Sequence, residues 1–197
     1  MSFTPMSIAG AWVYDPKVWT DERGTFHEVF KLSAISEQLG RGFEVKQVNQ
    51  SLSRKGVIRG IHWTNSVYGQ AKYVSCIQGS IWDVVVDLRP ESPTFGNWDA
   101  IVLSYENRRS ILISEGIGHG FLSLSEGAVA NYLCSSEFNP ADDRTINPLS
   151  KKLGISFEEI ASAHEIESFL LSDKDKNGET FNPATFMSAS KLEGRNG

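Results

Sequence analysis

At 197 residues, 40% apolar and 22% charged with a net charge of −5, the chain suits one soluble globular domain that buries its own core. No Lys/Arg block stands out, which argues against a nucleic-acid partner. No stretch approaches the ~18 consecutive apolar residues of a membrane span, and the opening MSFTPMSIAG lacks the basic and apolar regions of a secretory signal, so a cytoplasmic protein with no membrane partner is expected.

In chain order, Leu32, Ile35 and Leu39 recur at helical spacing, with Ser33 as candidate N-cap and Gly40 or Gly42 as the stop. Short strand-like runs then follow: FEVKQVNQSLS, GVIRGIHW, AKYVSCIQGSIWDVVVDLR, NWDAIVLSYE, SILIS, GFLSLSE and AVANYLCSS. Gly, Pro, Asn and Ser punctuate them, as in an all-β sandwich or barrel, and no strand–helix alternation suggests a parallel α/β sheet. Cys76 and Cys134 each lie inside an apolar run and read as buried free thiols of a reducing compartment.

Within the third run, Trp82, Val84, Val86 and Leu88 share one strand face, while Asp83 and Asp87 share the other with Ile81 and Val85. Carboxylates on an otherwise apolar face fit a barrel whose interior carries chemistry; spacing alone is equally consistent with a face that meets solvent. Beyond about residue 150 the pattern degrades, and FEEIASAHEIESFLLS reads as helix or irregular chain. Residues 1–178 are expected to form one domain and 179–197 a partly flexible tail.

Two motifs are decoys. DKDKNG places Asp173, Asp175, Asn177 and Gly178 in calcium-loop register, but the twelfth position, which needs a bidentate Glu, is Ala184. Asn49-Gln50-Ser51 is a glycosylation triplet with no secretory signal to expose it. No two of His27, His62, His119 and His164 lie close in sequence and no Cys neighbours a His, so no metal is expected.

What remains is a set of polar residues inside apolar strands: Gln47, Asn49, Arg59, His62, Lys72, His119 and Tyr132. Singly, each is best explained by a structural role. Together, a base, a cation, a second His and a Tyr in one small barrel fit proton abstraction beside a carbonyl. That reaction needs a base of near-neutral pKa, an electrophile to hold the enolate, and an acid on the opposite face.

From about residue 10 to 178, the motifs DERGTFHEVF, QVNQSLSRKGVIRGIHW, QAKYVSCIQGSIWDVVVDLRPESPTFGNW, SEGIGHGFLSLSE, YLCSSEFNPADD and LSDKD follow one another in an order that resembles the dTDP-4-dehydrorhamnose 3,5-epimerases. The resemblance implies a double-stranded β-helix of the cupin or jelly-roll kind, with few short helices and no cofactor. It implies His62 as general base, Asp175 as the carboxylate that orients it, Lys72 as the cation on the enolate oxygen, and Tyr132 as the proton donor on the other face. Arg23, Glu28, Gln47, Asn49, Arg59 and His119 match residues that hold the nucleotide diphosphate and sugar. Phe138, Asp143 and Lys174 join this binding group, with Phe138 where an aromatic ring stacks on thymine. Phe138 replaces a common Tyr, Asp143 a longer Glu, and Phe157 a usual Trp.

The implied substrate is a dTDP-linked 4-keto-6-deoxysugar, epimerised at C3 and C5. The alternatives are a single-carbon epimerase of another deoxysugar pathway and a metal-free cupin that only binds a nucleotide sugar. The family also implies a homodimer in which the RGTFHE segment reaches the neighbour's site. Finally, Arg59 and His62 have opposite strand parity, so both serve one pocket only if the strand bulges, most easily at Gly60.

Overall fold

The computed structural model describes residues 2–64 and 69–184. Strands β1 (Phe3–Pro5) and β2 (Ala11–Tyr14) precede a hairpin, β3 (Val18–Asp21) with β4 (Gly24–His27), and helix α1 (Leu32–Leu39). Eight strands follow: β5 (Gln47–Ser53), β6 (Ile58–Thr64), β7 (Lys72–Gln78), β8 (Ser80–Asp87), β9 (Trp98–Ser104), β10 (Ser110–Ile113), β11 (Ile117–Ser123) and β12 (Ala128–Cys134). Then come β13 (Asp143–Thr145), α2 (Phe157–Ala163) and the single turn α3 (Asp173–Lys176). No helix among the described residues is long and apolar enough to cross a membrane.

Two antiparallel sheets carry the molecule, ordered β1-β2-β10-β7-β12-β5 and β13-β6-β11-β8-β9. Strands adjacent in space are mostly distant in sequence, which is the jelly-roll arrangement expected of the chain. Five of the seven predicted runs contain their strands, GVIRGIHW stops one residue short of β6, and GFLSLSE catches only the second half of β11; the third run folds back at Gly79, whose φ of +67° suits a residue without Cβ. The four strands before α1 and the short β13 were not among the predicted runs. Ala11–Tyr14 is only four residues long and apolar throughout, so it carries no alternation to read. In α1 the stop is Gly40 in the left-handed conformation, as expected, but the N-cap is Lys31 and Ser33 lies inside the helix. Ile35 is buried, whereas Leu32 is half exposed.

Strand β8 separates two apolar layers. Ile81 and Val85 pack between the sheets with Val74, Ile111 and Phe121, while Trp82, Val84 and Val86 pack outward under the C-terminal segment with Phe157 and Phe181. At about 1.5–3 kcal/mol for each large apolar side chain removed from water, these layers supply most of the driving force. Phe157, where a Trp is common in the resembling family, meets Trp82 edge-on at 5.3 Å. The face bearing Asp83 and Asp87 is therefore an interior face, and both carboxylates are fully buried. Packing continues past residue 178: Glu179 bridges Ile146, and Phe181 is buried. The part of the predicted tail after residue 184 lies outside the described residues.

The bulge in β6 is present where the parity conflict placed it. His119 pairs with His62 but Phe121 pairs with Arg59, so β6 spends three steps where β11 spends two. Ile58 and Ile61 consequently face the outer layer, while Arg59 and His62 both face the space between the sheets. Gly60 adopts φ +107°, and a Cβ there would stand 2.6 Å from the His119 carbonyl oxygen and 2.7 Å from Gly120 Cα. A Gly60→Ala substitution should cost roughly 2–5 kcal/mol, combining the left-handed penalty with a backbone clash. Gly154→Ala, also at positive φ but with nothing within 4 Å, should cost only about 1–2 kcal/mol. Denaturant midpoints of the two variants check this; equal losses would mean that close packing against β11 does not require Gly60.

Candidate active site

A cleft of about 370 Å³ opens between the sheets at one end of the sandwich. Its first wall is the five-stranded sheet, which presents Arg59 and His62 from β6 and His119 and Phe121 from β11. Its second wall is the six-stranded sheet, which presents Ser51 from β5, Lys72 from β7 and Tyr132 from β12. The segment leading into α3 closes one side with Leu170, Leu171, Ser172, Lys174 and Asp175.

His62 and Asp175 are 113 positions apart in sequence, yet His62 Nε2 and Asp175 Oδ1 stand 2.6 Å apart. Chain pairing makes this possible on both sides of α3. Before it, Leu170 hydrogen-bonds across to Gly56 and Ile58; after it, Glu179 bonds Thr145 and Asn147. Burial pushes the Asp175 carboxyl up, but the bond and charge of His62, the Ser172 hydroxyl and the Gly60 N–H outweigh it and hold the carboxyl below its ordinary range. The carboxylate is thus ionised at neutral pH and fixes the imidazole, leaving His62 Nδ1 as the ring nitrogen not held by Asp175.

A second His–Asp pair lies on the adjacent strands, with His119 Nε2 2.9 Å from Asp83 Oδ2. Asp83 is fully buried, and its Oδ1 has no hydrogen-bond partner among the described residues. A buried carboxylate with an unmet acceptor favours nearby positive charge. Lys72 supplies one: burial pulls its ammonium pKa down, and Cys134, Asp143 and Asp83 oppose that fall. On the same wall as Lys72, burial raises the Tyr132 phenol, reinforced by Cys134 and opposed by Arg59, so at neutral pH it is a proton donor.

Of the thirteen residues named from sequence, His62, Lys72, Tyr132, Asp175, Arg59, His119 and Lys174 line this one cleft. Phe138 and Asp143 line a smaller adjoining recess that shares Lys72, and Asp143 pairs with Lys174 between the two. Gln47 and Asn49 lie on β5 beside them: the Gln47 amide donates to Asn49 and accepts from Phe138 N–H, each at 2.7 Å. Arg23 and Glu28 are not brought to the cleft of their own chain. Arg23 sits in the turn of the β3–β4 hairpin, its side chain 86% exposed and paired with Asp21, and Glu28 is exposed just beyond β4.

Sequence reasoning did not name Ser51, Ser172 or Asp83 as site residues. Asp83 had a signal, a carboxylate in apolar alternation, but the residue beneath it could not be seen. The calcium-like DKDKNG stretch is the turn of α3, with Asp175 committed to His62. Among the described residues, no three His, Cys, Asp or Glu side chains gather as a metal would require.

With this geometry in place, the comparisons with known proteins fall into one group. The family model described as dTDP-4-dehydrorhamnose 3,5-epimerase matches residues 5–183. A dTDP-4-dehydrorhamnose 3,5-epimerase of Mycolicibacterium smegmatis is 43% identical over 89% of this chain and 83% of its own. The solved rmlC epimerase of Mycobacterium tuberculosis superposes with a TM-score of 0.87 at 36% identity, covering 98% of this chain and 92% of that one. A 3'-monoepimerase from Streptomyces bikiniensis, solved in complex with dTDP-quinovose, gives 0.83 at 41% identity, covering 96% and 90%. These structures share the cupin-like fold.

Proposed function

The chain belongs to the dTDP-4-dehydrorhamnose 3,5-epimerase family, and from that premise we propose that it inverts C3 and C5 of dTDP-4-dehydro-6-deoxy-D-glucose, giving dTDP-4-dehydro-L-rhamnose. The observation that carries this reading is the placement of His62 and Tyr132 on opposite sheets across one cleft. A ketone at C4 acidifies the hydrogens on both flanking carbons. His62, oriented by Asp175, takes one of them at its free ring nitrogen. The electron pair moves onto the C4 oxygen, where the Lys72 ammonium stabilises the enolate. Tyr132 then gives its phenolic proton to the other face of the same carbon and recovers one from solvent. Removal from one wall and return from the other inverts the centre, and once His62 has released its proton to solvent the same pair repeats the sequence at the second carbon.

Arg59 and Lys174 at the cleft suit the diphosphate, Arg59 because its planar fork can bond two oxygens at once. His119 borders the sugar, and Phe138, 58% exposed beside the adjoining recess, offers a face for the thymine ring. The reaction needs no cofactor, because the substrate ketone supplies the acidity. Two buried free thiols and a nucleotide-sugar substrate support a cytoplasmic site of action. A second reading is inversion at one carbon only, favoured by the 41% identity to the Streptomyces bikiniensis 3'-monoepimerase.

We place two copies in the working enzyme, each lending its β3–β4 hairpin to the other's site. The hairpin shows Trp19 and Phe26 to solvent at 42% and 66% and carries Arg23 away from its own cleft. Glu28 would travel with it.

Replacing His62 with Ala should lower turnover by at least about 100-fold, the low end of what a proton-transfer group contributes, with dTDP affinity retained. A variant that keeps more than about a tenth of the rate removes His62 as the base. Tyr132→Phe should slow product formation more than it slows release of the first proton to solvent. Equal loss of both would move Tyr132 to binding or enolate stabilisation.

Mixing inactive His62→Ala and Arg23→Ala chains tests the shared site. Exchange should restore activity, because one site in each mixed dimer is then intact. No recovery after proven exchange would return Arg23 to its own chain's pocket.

A further inference from the structure

We infer that Ser172 is a positioning residue for this reaction: its hydroxyl, at the entry to α3, sets the Asp175 carboxylate against His62. The inference rests on the reading of His62 and Asp175 as the base and its orienter. Asp175 sits in a helix of four residues, far too short to hold its own geometry. Its direction must therefore come from contacts outside the helix.

Ser172 makes the contact that defines the turn. With φ −68° and ψ 159° it is the extended N-cap residue, and its Oγ accepts the backbone N–H of Asp175 at 3.1 Å. That is the first half of a capping box, Ser172-Asp173-Lys174-Asp175. In the complete box the acid three residues on would turn back to the N-cap N–H. Here the acid faces the cleft instead, with Oδ1 2.6 Å from His62 Nε2. The carboxylate has been taken from capping and given to the imidazole, which leaves the serine to hold the turn from its own side. The Ser172 hydroxyl and the Gly60 N–H also lie close enough to the carboxylate to lower its pKa against the effect of burial.

The other anchors of α3 act elsewhere. The Asn147 amide donates to Lys176 O at 2.8 Å, and Lys174 pairs with Asp143. Both fix where the turn lies, but neither touches the Asp175 carboxylate. Ser172 also lines the cleft, so a direct substrate contact is the competing explanation, and the test must separate the two.

The experiment is a double-mutant cycle of Ser172→Ala with Asp175→Asn, with Ser172→Thr as the rescue and circular-dichroism melts confirming folded protein. Ser172→Ala should lower kcat about tenfold with KM changed less than about twofold, because a positioning defect weakens the chemical step rather than binding. Ser172→Thr, which keeps the hydroxyl, should recover to within about threefold of wild type. In the Asp175→Asn background, with turnover read by deuterium wash-in, Ser172→Ala should cost less than about twofold more, since its route of action is gone.

A raised KM with kcat preserved would make Ser172 a substrate contact. A full further tenfold loss in the Asp175→Asn background would make its role merely structural. A wild-type rate for Ser172→Ala beside a crippled Asp175→Asn would overturn this inference alone. A wild-type rate for Asp175→Asn would overturn the dyad reading and this inference with it.

Discussion

Strand β6 holds one residue more than its pairing with β11 allows, and the wall of the cleft that carries His62 depends on where that surplus is absorbed. In a regular strand, Arg59 and His62 would point to opposite layers. With the extra residue taken up at Gly60, Ile58 and Ile61 go to the outer core while Arg59 and His62 go inward. The neighbouring strand is built to match. A Cβ at Gly118 would fall 2.6 Å from Ile61, and one at Gly120 would fall 2.7 Å from the Arg59 carbonyl oxygen. The two glycines around His119 thus let the bulged strand lie close, and they leave His119 beside His62.

The second constraint is that the cleft has two chemically different walls. The wall of the five-stranded sheet carries two His–Asp pairs, His119 with Asp83 within the sheet and His62 with Asp175 of α3. The six-stranded sheet brings a buried ammonium, Lys72, and a half-buried phenol, Tyr132. In the proposed reaction, a sugar ring between them would have a proton acceptor on one side and a donor on the other. Rigid strands hold both groups, so under the proposed mechanism inversion would need no rotation of the intermediate. Asp83, unmatched at one oxygen, sits where its charge opposes the loss of the Lys72 proton.

Much of this was legible in the sequence, for identifiable reasons. The β7–β8 pair announces itself through long apolar runs broken at Gly79, and the parity conflict of Arg59 and His62 points to a bulge once both are assigned to one pocket. Which face of β8 was interior was not legible, because both faces are buried and alternation loses its meaning there. The partnership of His62 with Asp175 spans 113 positions, and only the family motif LSDKD suggested it. Ser172 stayed hidden because its role exists only once α3 is a single turn. Ser33 was misread as a cap because a small polar residue near a helix start has the right chemistry, yet the chain enters the helix two residues earlier, at Lys31.

The central claim is that opposed walls exchange the hydrogens flanking the ketone with solvent and invert both carbons. Nuclear magnetic resonance of dTDP-4-dehydro-6-deoxy-D-glucose turned over in D2O, with the product trapped by a 4-keto reductase, tests it most directly. The account predicts solvent deuterium at both C3 and C5 of an L-configured sugar. Inversion with the original hydrogens retained would contradict transfer between two walls, and deuterium and inversion at C3 alone would contradict the double epimerisation.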